Sequence, residues 1–253
     1  MLAPEPDPPP RLRRSNLQPG DTPMLMLVLG KGKTGSLVAQ VARERGHSVR
    51  VLDWKENAGA GALTAPTLAT IDVVVDFTNP QSALENMRSC LALGARIVVG
   101  TTGWYDKLPD MKALAHRKGG ALLYGSNFSL GVQKFFQLTA QLARLKEYSF
   151  AITETHHASK LDSPSGTALS LRDILLEAHP EAQIDITAHR VGEVSGIHVV
   201  AARSQSDLIE LRHEAFDRRG FALGAVLAAE WIVGKSGTWE FREVAPQIMA
   251  GQL

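Results

Sequence analysis

Short apolar runs alternate with amphipathic segments over the first half of the chain. Leu37, Val38 and Val41 recur at helical spacing, and Gly94 is placed to end a second helix. Because strand and helix alternate, we expect a doubly wound parallel sheet, a Rossmann-like dinucleotide-binding domain. The predicted strands cover residues 24–29, 49–53, 71–78, 95–99 and 121–124, and a further helix covers 113–117.

The pattern changes after residue 128. Residues 129–145 have the apolar stripe of an amphipathic helix, an apolar strand follows at 148–153, and another helix runs to about Ala178. Partial alternation then favours strands of an open mixed sheet in a smaller α+β domain. These strands are predicted at 184–191, 197–202 and 207–213, followed by a buried helix at 221–233 and a last strand at 238–241.

These elements predict two domains. Residues 24–128 form the dinucleotide-binding domain, which is completed by 215–253 when the chain returns. Residues 129–214 form the domain for substrate binding and oligomerisation. Residues 1–23 are rich in proline, with a short run of arginines, and are expected to be a flexible extension without a secretory signal. Met24 or Met26 is an alternative start.

Composition narrows the class of protein. The 253 residues are 44% hydrophobic and 21% charged, which is ordinary for a globular protein. A formal net charge of +1 argues against a nucleic-acid or membrane-surface partner. Cys90, the single cysteine, excludes an intrachain disulfide framework and fits a reducing cytosol. No apolar run approaches the length of a membrane span, so we expect a cytoplasmic protein.

A glycine-rich turn follows the first predicted strand. Strand, turn, helix and a second strand ending at Asp53 form the arrangement that lays a pyrophosphate on a helix N-terminus and bonds a ribose through a carboxylate. A tight turn that needs glycine only for its backbone geometry is the alternative. The predicted cofactor residues here are Gly30, Lys31, Gly32, Lys33, Thr34, Gly35 and Asp53.

The identity of the nicotinamide cofactor stays open between NADH and NADPH. Asp53 favours the unphosphorylated ribose of NADH, whereas Lys33, Arg50 and Lys55 are cations that attract the phosphate of NADPH. Functional loops lie at the carboxyl ends of parallel strands, so the loops at 76–80, 100–103 and 125–128 should face the cofactor together. Their predicted cofactor residues are Phe77, Thr78, Gly100, Thr101, Thr102, Gly125, Ser126, Asn127 and Phe128.

Residues 154–169 hold the densest chemistry. Two imidazoles, an amine and two carboxylates lie within nine positions, in what we expect to be a loop. Ser163 or Ser165 is placed to cap the next helix, whose first N–H groups would point at an anion. The stretch is therefore typical of a site for a small carboxylate. A metal site is disfavoured, because adjacent histidines diverge on a strand and no helical zinc spacing is present.

Three further polar residues are candidates with open alternatives. Arg190 could hold a carboxylate bidentately or stay in a surface ion pair. His198 and His213 face the substrate or are structural.

The dense stretch resembles the signature of the dihydrodipicolinate reductase family, E-x-H-H-x-x-K-x-D-x-P-S-G-T-A, and residues 154–168 match every specified position. Similar family segments recur as D-F-T, G-T-T-G and N-F-S in the loops above, as R-x-G-x-x-x-G-x-H from Arg190, and as G-K-x-G at 234–237. The resemblance extends from about residue 24 to 244. The glycine turn at 30–35 is one residue shorter than is usual in the family.

This resemblance implies reduction of 4-hydroxy-tetrahydrodipicolinate to tetrahydrodipicolinate by NADH or NADPH, in diaminopimelate and lysine biosynthesis. It implies that His156 is the proton donor, and that Lys160 completes proton transfer or binds the substrate. His157, Gly166 and Thr167 would hold the carboxylates of the small dicarboxylate, with Arg190 as a further binding residue. The family also suggests a homotetramer. A dehydrogenase of another small acid, or a non-catalytic homologue that binds NAD(P), are the alternatives.

Overall fold

The computed structural model describes residues 22–252, so the predicted extension at 1–23 lies almost wholly outside the described residues. In chain order the strands are β1 (Leu25–Leu29), β2 (Ser48–Leu52), β3 (Val73–Asp76), β4 (Arg96–Val99), β5 (Ala121–Tyr124), β6 (Ser149–His156), β7 (Asp185–Arg190), β8 (Ile197–Arg203), β9 (Leu208–Glu214) and β10 (Gly237–Glu240). The helices are α1 (Lys33–Glu44), α2 (Ala65–Leu68), α3 (Pro80–Ala92), α4 (Leu108–Lys118), α5 (Leu130–Leu142), α6 (Gly166–Ala178), α7 (Arg219–Ile232) and α8 (Phe241–Met249).

The first sheet is parallel throughout, with strand order β10-β5-β4-β3-β1-β2. Its central strands are continuous apolar runs because helices cover both faces; every residue of β3 and β5 is buried. This confirms the predicted doubly wound sheet. The chain also returns to it, since β10 pairs with β5 at the edge.

The second sheet is mixed, with strand order β7-β6-β8-β9. β6 is parallel to β7 and antiparallel to β8, and burial alternates along both β6 and β8. One face is covered by α5 and α6 through an apolar cluster that includes Phe135, Leu171 and Val200. α5 also contacts α7 and α8, so it joins the two sheets.

Two short helices were not predicted. α8 begins directly after β10, where Glu240 and Glu243 form a capping box. Its apolar face packs into the hydrophobic core between the parallel sheet and helices α1 and α7. α2 is a single turn capped by Thr64. In the described part of the chain, no helix is long and apolar enough to cross a membrane.

Candidate active site

A cavity of about 690 Å³ lies between the two sheets and brings predicted residues from both together. Loop residues at the end of β5 line one side, and the start of α6 lines the other. The predicted site residues on this cavity are Lys33, Gly125, Ser126, Asn127, His156, His157, Lys160, Gly166 and Thr167. The dense stretch and the first domain therefore share one space.

The dense stretch does not lie entirely in a loop. β6 continues through Glu154, Thr155 and His156, so the prediction of a loop over these three residues was wrong. Parallel pairing with β7 and antiparallel pairing with β8 hold the strand on both sides as far as this end. The imidazole of His156 is thus carried by a central strand, which positions it more rigidly than a loop does.

The start of α6 is capped by Ser165, one of the two predicted caps. Its hydroxyl accepts a hydrogen bond from the Ala168 N–H at 3.2 Å. Gly166 and Thr167 form the first turn, whose N–H groups have no intrahelical acceptor, and both residues line the cavity. Such free N–H groups are suited to an anion, and the binding of a carboxylate at this place stays a prediction.

A buried ionic cluster lies beneath the cavity around Glu154. The side chain of Glu154 is fully buried and accepts hydrogen bonds from the Ser165 N–H at 3.0 and 3.2 Å. Arg190 Nη2 donates to Oε1 at 3.0 Å. Oε2 lies 3.5 Å from His156 Nδ1 and 3.5 Å from His198 Nε2. The strand ends of β6, β7 and β8 thus converge on one carboxylate.

The cluster shifts the pKa values of its members. Burial lowers the pKa of His156 and that of His198, the latter to about 4, so both imidazoles are neutral near pH 7. Burial opposes ionisation of Glu154, yet the hydrogen bonds from Ser165 and Arg190 hold its pKa below the usual value. The predicted proton donor therefore needs additional negative charge, such as a bound dicarboxylate, to become protonated at neutral pH.

The donor atoms of Glu154, His156 and His198 lie within 4.8 Å of one another, a spacing that a metal ion tolerates. However, the Arg190 guanidinium already places a cation on the same carboxylate. A second cation would be repelled, so proton chemistry describes this cluster better than metal chemistry.

Lys160 and His157 lie at the cavity with partners of their own. Lys160 Nζ contacts both oxygens of Asp162 at 2.6 and 2.9 Å, and this cation lowers the pKa of Asp162. His157 Nδ1 is 2.8 Å from the Ser159 hydroxyl. Both side chains can exchange these partners for a substrate carboxylate, because the partners are exposed to solvent.

Three predicted site residues do not line the described cavities. Arg190 is held by Glu154 and by the carbonyls of His189 and Asp162, so its ion pair is with a buried partner and not at the surface. Gly35 lies inside α1, where a Cβ would collide with the Gly30 carbonyl oxygen. Phe128 is a core residue, and its ring packs against Phe77 and Phe241.

The remaining predicted cofactor residues line two further cavities along the carboxyl edge of the parallel sheet. One, of about 750 Å³, contains Gly30, Lys31, Gly32, Asp53, Phe77 and Thr78. The other, of about 560 Å³, contains Gly32, Lys33, Thr34, Phe77, Thr78, Gly100, Thr101 and Thr102. Lys33 also lines the cavity of His156, so the three spaces form a continuous edge suited to a long ligand.

The glycine turn fits a dinucleotide. The N-cap of α1 is Gly32, no side chain caps this end, and a Cβ on Gly32 would meet nothing within 4 Å. The first N–H groups of α1 are thus open to a pyrophosphate. Gly30 and Gly35 serve a different purpose, since they allow β1, α1 and the loop after β3 to approach closely.

Asp53 does not stand alone at the end of β2. Its Oδ1 accepts from the N–H groups of Lys55 and Glu56, and Lys31 Nζ contacts its Oδ2 at 3.3 Å. Lys31 is closer to Glu56, at 2.7 Å, and this contact raises the pKa of Lys31. Two carboxylates and one exposed lysine therefore meet where the ribose is expected.

Asp76 holds the cofactor loops together, a role that we did not predict. Its buried carboxylate accepts from Thr78 N–H and hydroxyl, from the Thr101 hydroxyl, and from Asn86 Nδ2, at 2.7 to 3.0 Å. Burial raises its pKa despite these donors. The ends of β3 and β4 are tied by these bonds. A buried aspartate at the end of an apolar run was the available signal.

Glu154, His198 and Arg218 are the other residues whose roles sequence reasoning missed or left open. Arg218 lines both the cavity that contains His156 and the cavity that contains Thr101. Its guanidinium therefore lies between the predicted substrate and cofactor regions. It precedes α7, far from either motif in sequence, and no pattern around it indicated this position.

A doubly wound sheet with an open glycine turn, joined to a mixed sheet that carries histidines and cationic groups, is the architecture of a two-domain nicotinamide-dependent oxidoreductase. Family models for the N-terminus and the C-terminus of dihydrodipicolinate reductase match residues 24–128 and 131–244. The chain belongs to the dihydrodipicolinate reductase family.

Curated relatives and a solved structure agree with this assignment. The chain is 37% identical to 4-hydroxy-tetrahydrodipicolinate reductase of Christiangramia forsetii over 87% of this chain and 97% of the relative. It is 34% identical to the enzyme of that name from Natronomonas pharaonis, over 85% and 97%. Its fold is similar to dipicolinate-bound dihydrodipicolinate reductase from Paenisporosarcina sp. TG-14, with TM-score 0.73, 22% identity, and coverage of 88% and 100%.

Proposed function

We propose that the chain reduces 4-hydroxy-tetrahydrodipicolinate to tetrahydrodipicolinate with NADH or NADPH, in diaminopimelate and lysine biosynthesis. The observation that carries this proposal is the shared cavity, in which the family signature faces the carboxyl edge of the dinucleotide-binding sheet. Overall, the substrate loses its hydroxyl and one ring proton as water, and one hydride and one proton are then added to the conjugated ring.

The first domain supplies the binding surface for the cofactor. When bound, NADH or NADPH supplies the hydride. The open N-terminus of α1 at Gly32 is suited to the pyrophosphate. Asp53 and Glu56 suit the hydroxyls of an unphosphorylated ribose, while Lys31 suits a 2′-phosphate. The loops ending in Thr101 and Asn127 position the nicotinamide end.

The second domain binds the dicarboxylate. One carboxylate binds the N–H groups of Gly166 and Thr167 at the start of α6, where the helix dipole favours a negative charge. His157 and Lys160 contribute a hydrogen-bond donor and a cation from the preceding turn. Placing two negative charges near His156 raises the pKa that burial lowers, which makes the imidazolium available.

His156 donates the proton as hydride adds. Hydride addition to a conjugated C=N system develops negative charge on the far atom, and a positioned acid neutralises it. Lys160 completes proton transfer or holds the substrate beside the ring. Both side chains line the cavity, whereas the Arg190 guanidinium donates to the buried Glu154 beneath it.

The domain bounds and the assembly are also proposed. Residues 24–128, completed by 215–253, bind the cofactor, and residues 129–214 bind substrate and form a homotetramer. Edge strands β7 and β9 and exposed Leu208 and Ile209 support an assembly through the mixed sheet. We also propose that the protein is cytoplasmic, because its single cysteine is free and buried, as is usual in a reducing compartment. Sedimentation equilibrium decides the assembly, and a monomeric mass contradicts it.

The reaction is tested by loss of nicotinamide absorbance, with NADH and NADPH in parallel. Substrate is made in situ by a synthase from pyruvate and aspartate semialdehyde, and the mixture without synthase is the control. Rapid synthase-dependent oxidation is expected. If neither cofactor is oxidised although one of them binds, the chain acts on another small carboxylate or has lost turnover.

A further inference from the structure

Glu154 is a buried carboxylate beside the proposed proton donor, and the roles above do not include it. Ser165 N–H and Arg190 Nη2 already occupy Oε1, and Ser165 N–H also reaches Oε2 at 3.2 Å. Oε2 also lies 3.5 Å from His156 Nδ1 and 3.5 Å from His198 Nε2, but His198 Nε2 has a nearer partner in the Ser165 hydroxyl, at 3.1 Å. Glu154 Oε2 therefore remains the polar atom towards which His156 Nδ1 points.

The ring of His156 is confined on several sides. Its Nδ1 is buried and has no hydrogen-bond partner among residues 22–252. The opposite edge of the ring faces Gly196, where a Cβ would lie 3.1 Å from Nε2 and 3.3 Å from Cδ2, so the absence of a side chain there leaves room for this edge. His198 meets the ring edge-on, with centroids 5.0 Å apart. The ring therefore keeps Nδ1 towards Glu154.

This orientation decides where a neutral imidazole carries its proton. A bare Nδ1 lone pair aimed at a carboxylate is repelled, whereas an Nδ1–H at this place is attracted to Oε2. A small movement of the ring from 3.5 Å converts the contact into a hydrogen bond. Nε2 is then the nitrogen that exchanges the proton with the cavity.

We propose that Glu154 is a positioning residue for His156: it keeps the proton of the neutral ring on Nδ1 and stabilises the imidazolium formed when a second proton reaches Nε2. The proposal rests on the proposed role of His156 as donor. In the reaction the Nε2–H bond breaks, its electron pair stays on Nε2, and the proton goes to the substrate. The ring returns to the Nδ1–H form and takes its next proton from solvent.

The charges around the His156 ring make Glu154 the main group that favours its protonation. The titratable and charged groups that face it are Glu154 on β6, Arg190 on β7, His198 on β8, and Lys160 and Asp162 after β6. Burial lowers the pKa of His156, Glu154 raises it, and Lys160 and Arg190 lower it. Asp162 is already paired with Lys160. Without Glu154, the nearby balance is positive.

The test compares Glu154→Gln with Glu230→Gln. Glu230 is the matched control because it is a fully buried carboxylate paired with Arg45 at 2.6 Å and His47 at 2.8 Å, on α7 and away from the cavity. Both variants keep the side-chain size and remove the charge. Nitrogen chemical shifts of the unliganded protein give the tautomer and the pKa of His156, and kcat/KM is measured against pH.

For E154Q we expect the His156 pKa to fall by about 1 or more, as when an opposite charge is removed from a neighbouring site. Because the donor must be protonated, the alkaline fall of kcat/KM then moves to lower pH, and the rate on that limb drops about tenfold or more. Cofactor affinity stays near that of the unchanged protein. E230Q lowers the thermal midpoint but changes neither the His156 pKa nor the pH at which kcat/KM falls on the alkaline side.

Two results would overturn the inference: an Nε2–H tautomer in the unchanged protein, or an unchanged His156 titration in E154Q. The tautomer measurement needs no variant, so it decides the question even if E154Q does not fold. If the unchanged protein fails to oxidise either cofactor, the proposed function fails, while the imidazole titration still decides the role of Glu154.

Discussion

Two buried glutamates in this protein meet the same partners, an arginine and a histidine, with different geometry. Glu230 receives Arg45 through two nitrogens at 2.6 and 2.7 Å and His47 at 2.8 Å. Every contact is short, and both oxygens are used. This cluster ties the end of α1 to α7 inside the first domain.

The cluster around Glu154 is looser. Arg190 donates one bond at 3.0 Å, and both histidines lie 3.5 Å from Oε2. His198 Nε2 bonds the Ser165 hydroxyl at 3.1 Å instead. The Nδ1 atom of His156 is left buried without a partner within residues 22–252. Such a group costs about 1–3 kcal/mol of stability. This unpaired buried atom distinguishes the Glu154 cluster from the Glu230 cluster, and it fits the proposed use of His156 in proton transfer.

Both carboxylates stay ionised against the cost of burial. Burial raises the pKa of each, but hydrogen bonds from the histidine and arginine beside Glu230, and from Ser165 and Arg190 beside Glu154, bring the net pKa below its usual value. The two carboxylates differ in their contacts. The charge of Glu230 is fully paired by short hydrogen bonds, whereas Oε2 of Glu154 can still accept a hydrogen bond from His156.

The largest effect separates the two histidines. His156→Ala should lower kcat by roughly 10²–10⁴-fold, because it removes the proposed acid, with NADH or NADPH binding near normal. His47→Ala should leave kcat near normal, since His47 is buried in the closed cluster. Steady-state kinetics and cofactor titration check both. Loss of cofactor binding in His156→Ala would contradict the division of labour.

Stability should change in the opposite pattern. His47→Ala removes one of the two groups that contact Glu230 Oε1, the other being Arg45 Nε, and takes a buried ring out of the cluster; it should lower the free energy of unfolding by about 1–3 kcal/mol, measured by urea denaturation. The same change at His156 removes a ring whose Nδ1 is already unpaired, so we expect a smaller loss. Equal losses would mean that the two clusters are equally structural.

Arg190→Gln sharpens the comparison within the loose cluster. Arg190 lowers the pKa of His156, so its removal should raise that pKa and move the alkaline fall of kcat/KM to higher pH, by about one pH unit or less. This is opposite in sign to E154Q. Arg212→Gln, at an exposed ion pair with Glu214 on the same sheet, is the control. A large rise in the substrate KM would instead support direct carboxylate binding by Arg190.

Acid titration gives a further contrast. The pKa of Glu230 is lowered in the folded chain, so its stabilisation is fully present above the unfolded value of 4.5 and is lost as pH falls towards the folded value. Glu230→Gln should therefore flatten the decrease of the thermal midpoint below about pH 4.5. A slope identical to that of the unchanged protein would show that another group dominates acid unfolding.

The smallest effect is expected from Gly196→Ala. The new Cβ lies 3.1 Å from His156 Nε2, so the ring must shift by a few tenths of an ångström. Such a shift should lower kcat by a few-fold, with little change in the thermal midpoint. Kinetics of this variant beside His156→Ala show how much of the role of His156 depends on the position of its ring. An unchanged kcat would show that the ring tolerates displacement.

The sequence by itself was sufficient to predict the strands of the first sheet and to locate the stretch of the chain that carries the candidate catalytic residues. Buried parallel strands are continuous apolar runs, which are visible without any tertiary information. The signature at 154–168 was likewise visible, because its residues are contiguous. Ser165, Gly166 and Thr167 lie at the start of α6, where local capping rules placed them.

Only the tertiary structure decided which groups meet. Glu154 and Arg190 are 36 positions apart, and His198 comes from a third strand; parallel and antiparallel pairing of β6 brings all three to one end of the sheet. The same pairing extends β6 through His156, and packing against Phe77 and Phe241 draws Phe128 into the core. Local patterns report which residues can form an element, whereas register and packing between distant segments determine the distances on which the chemistry depends.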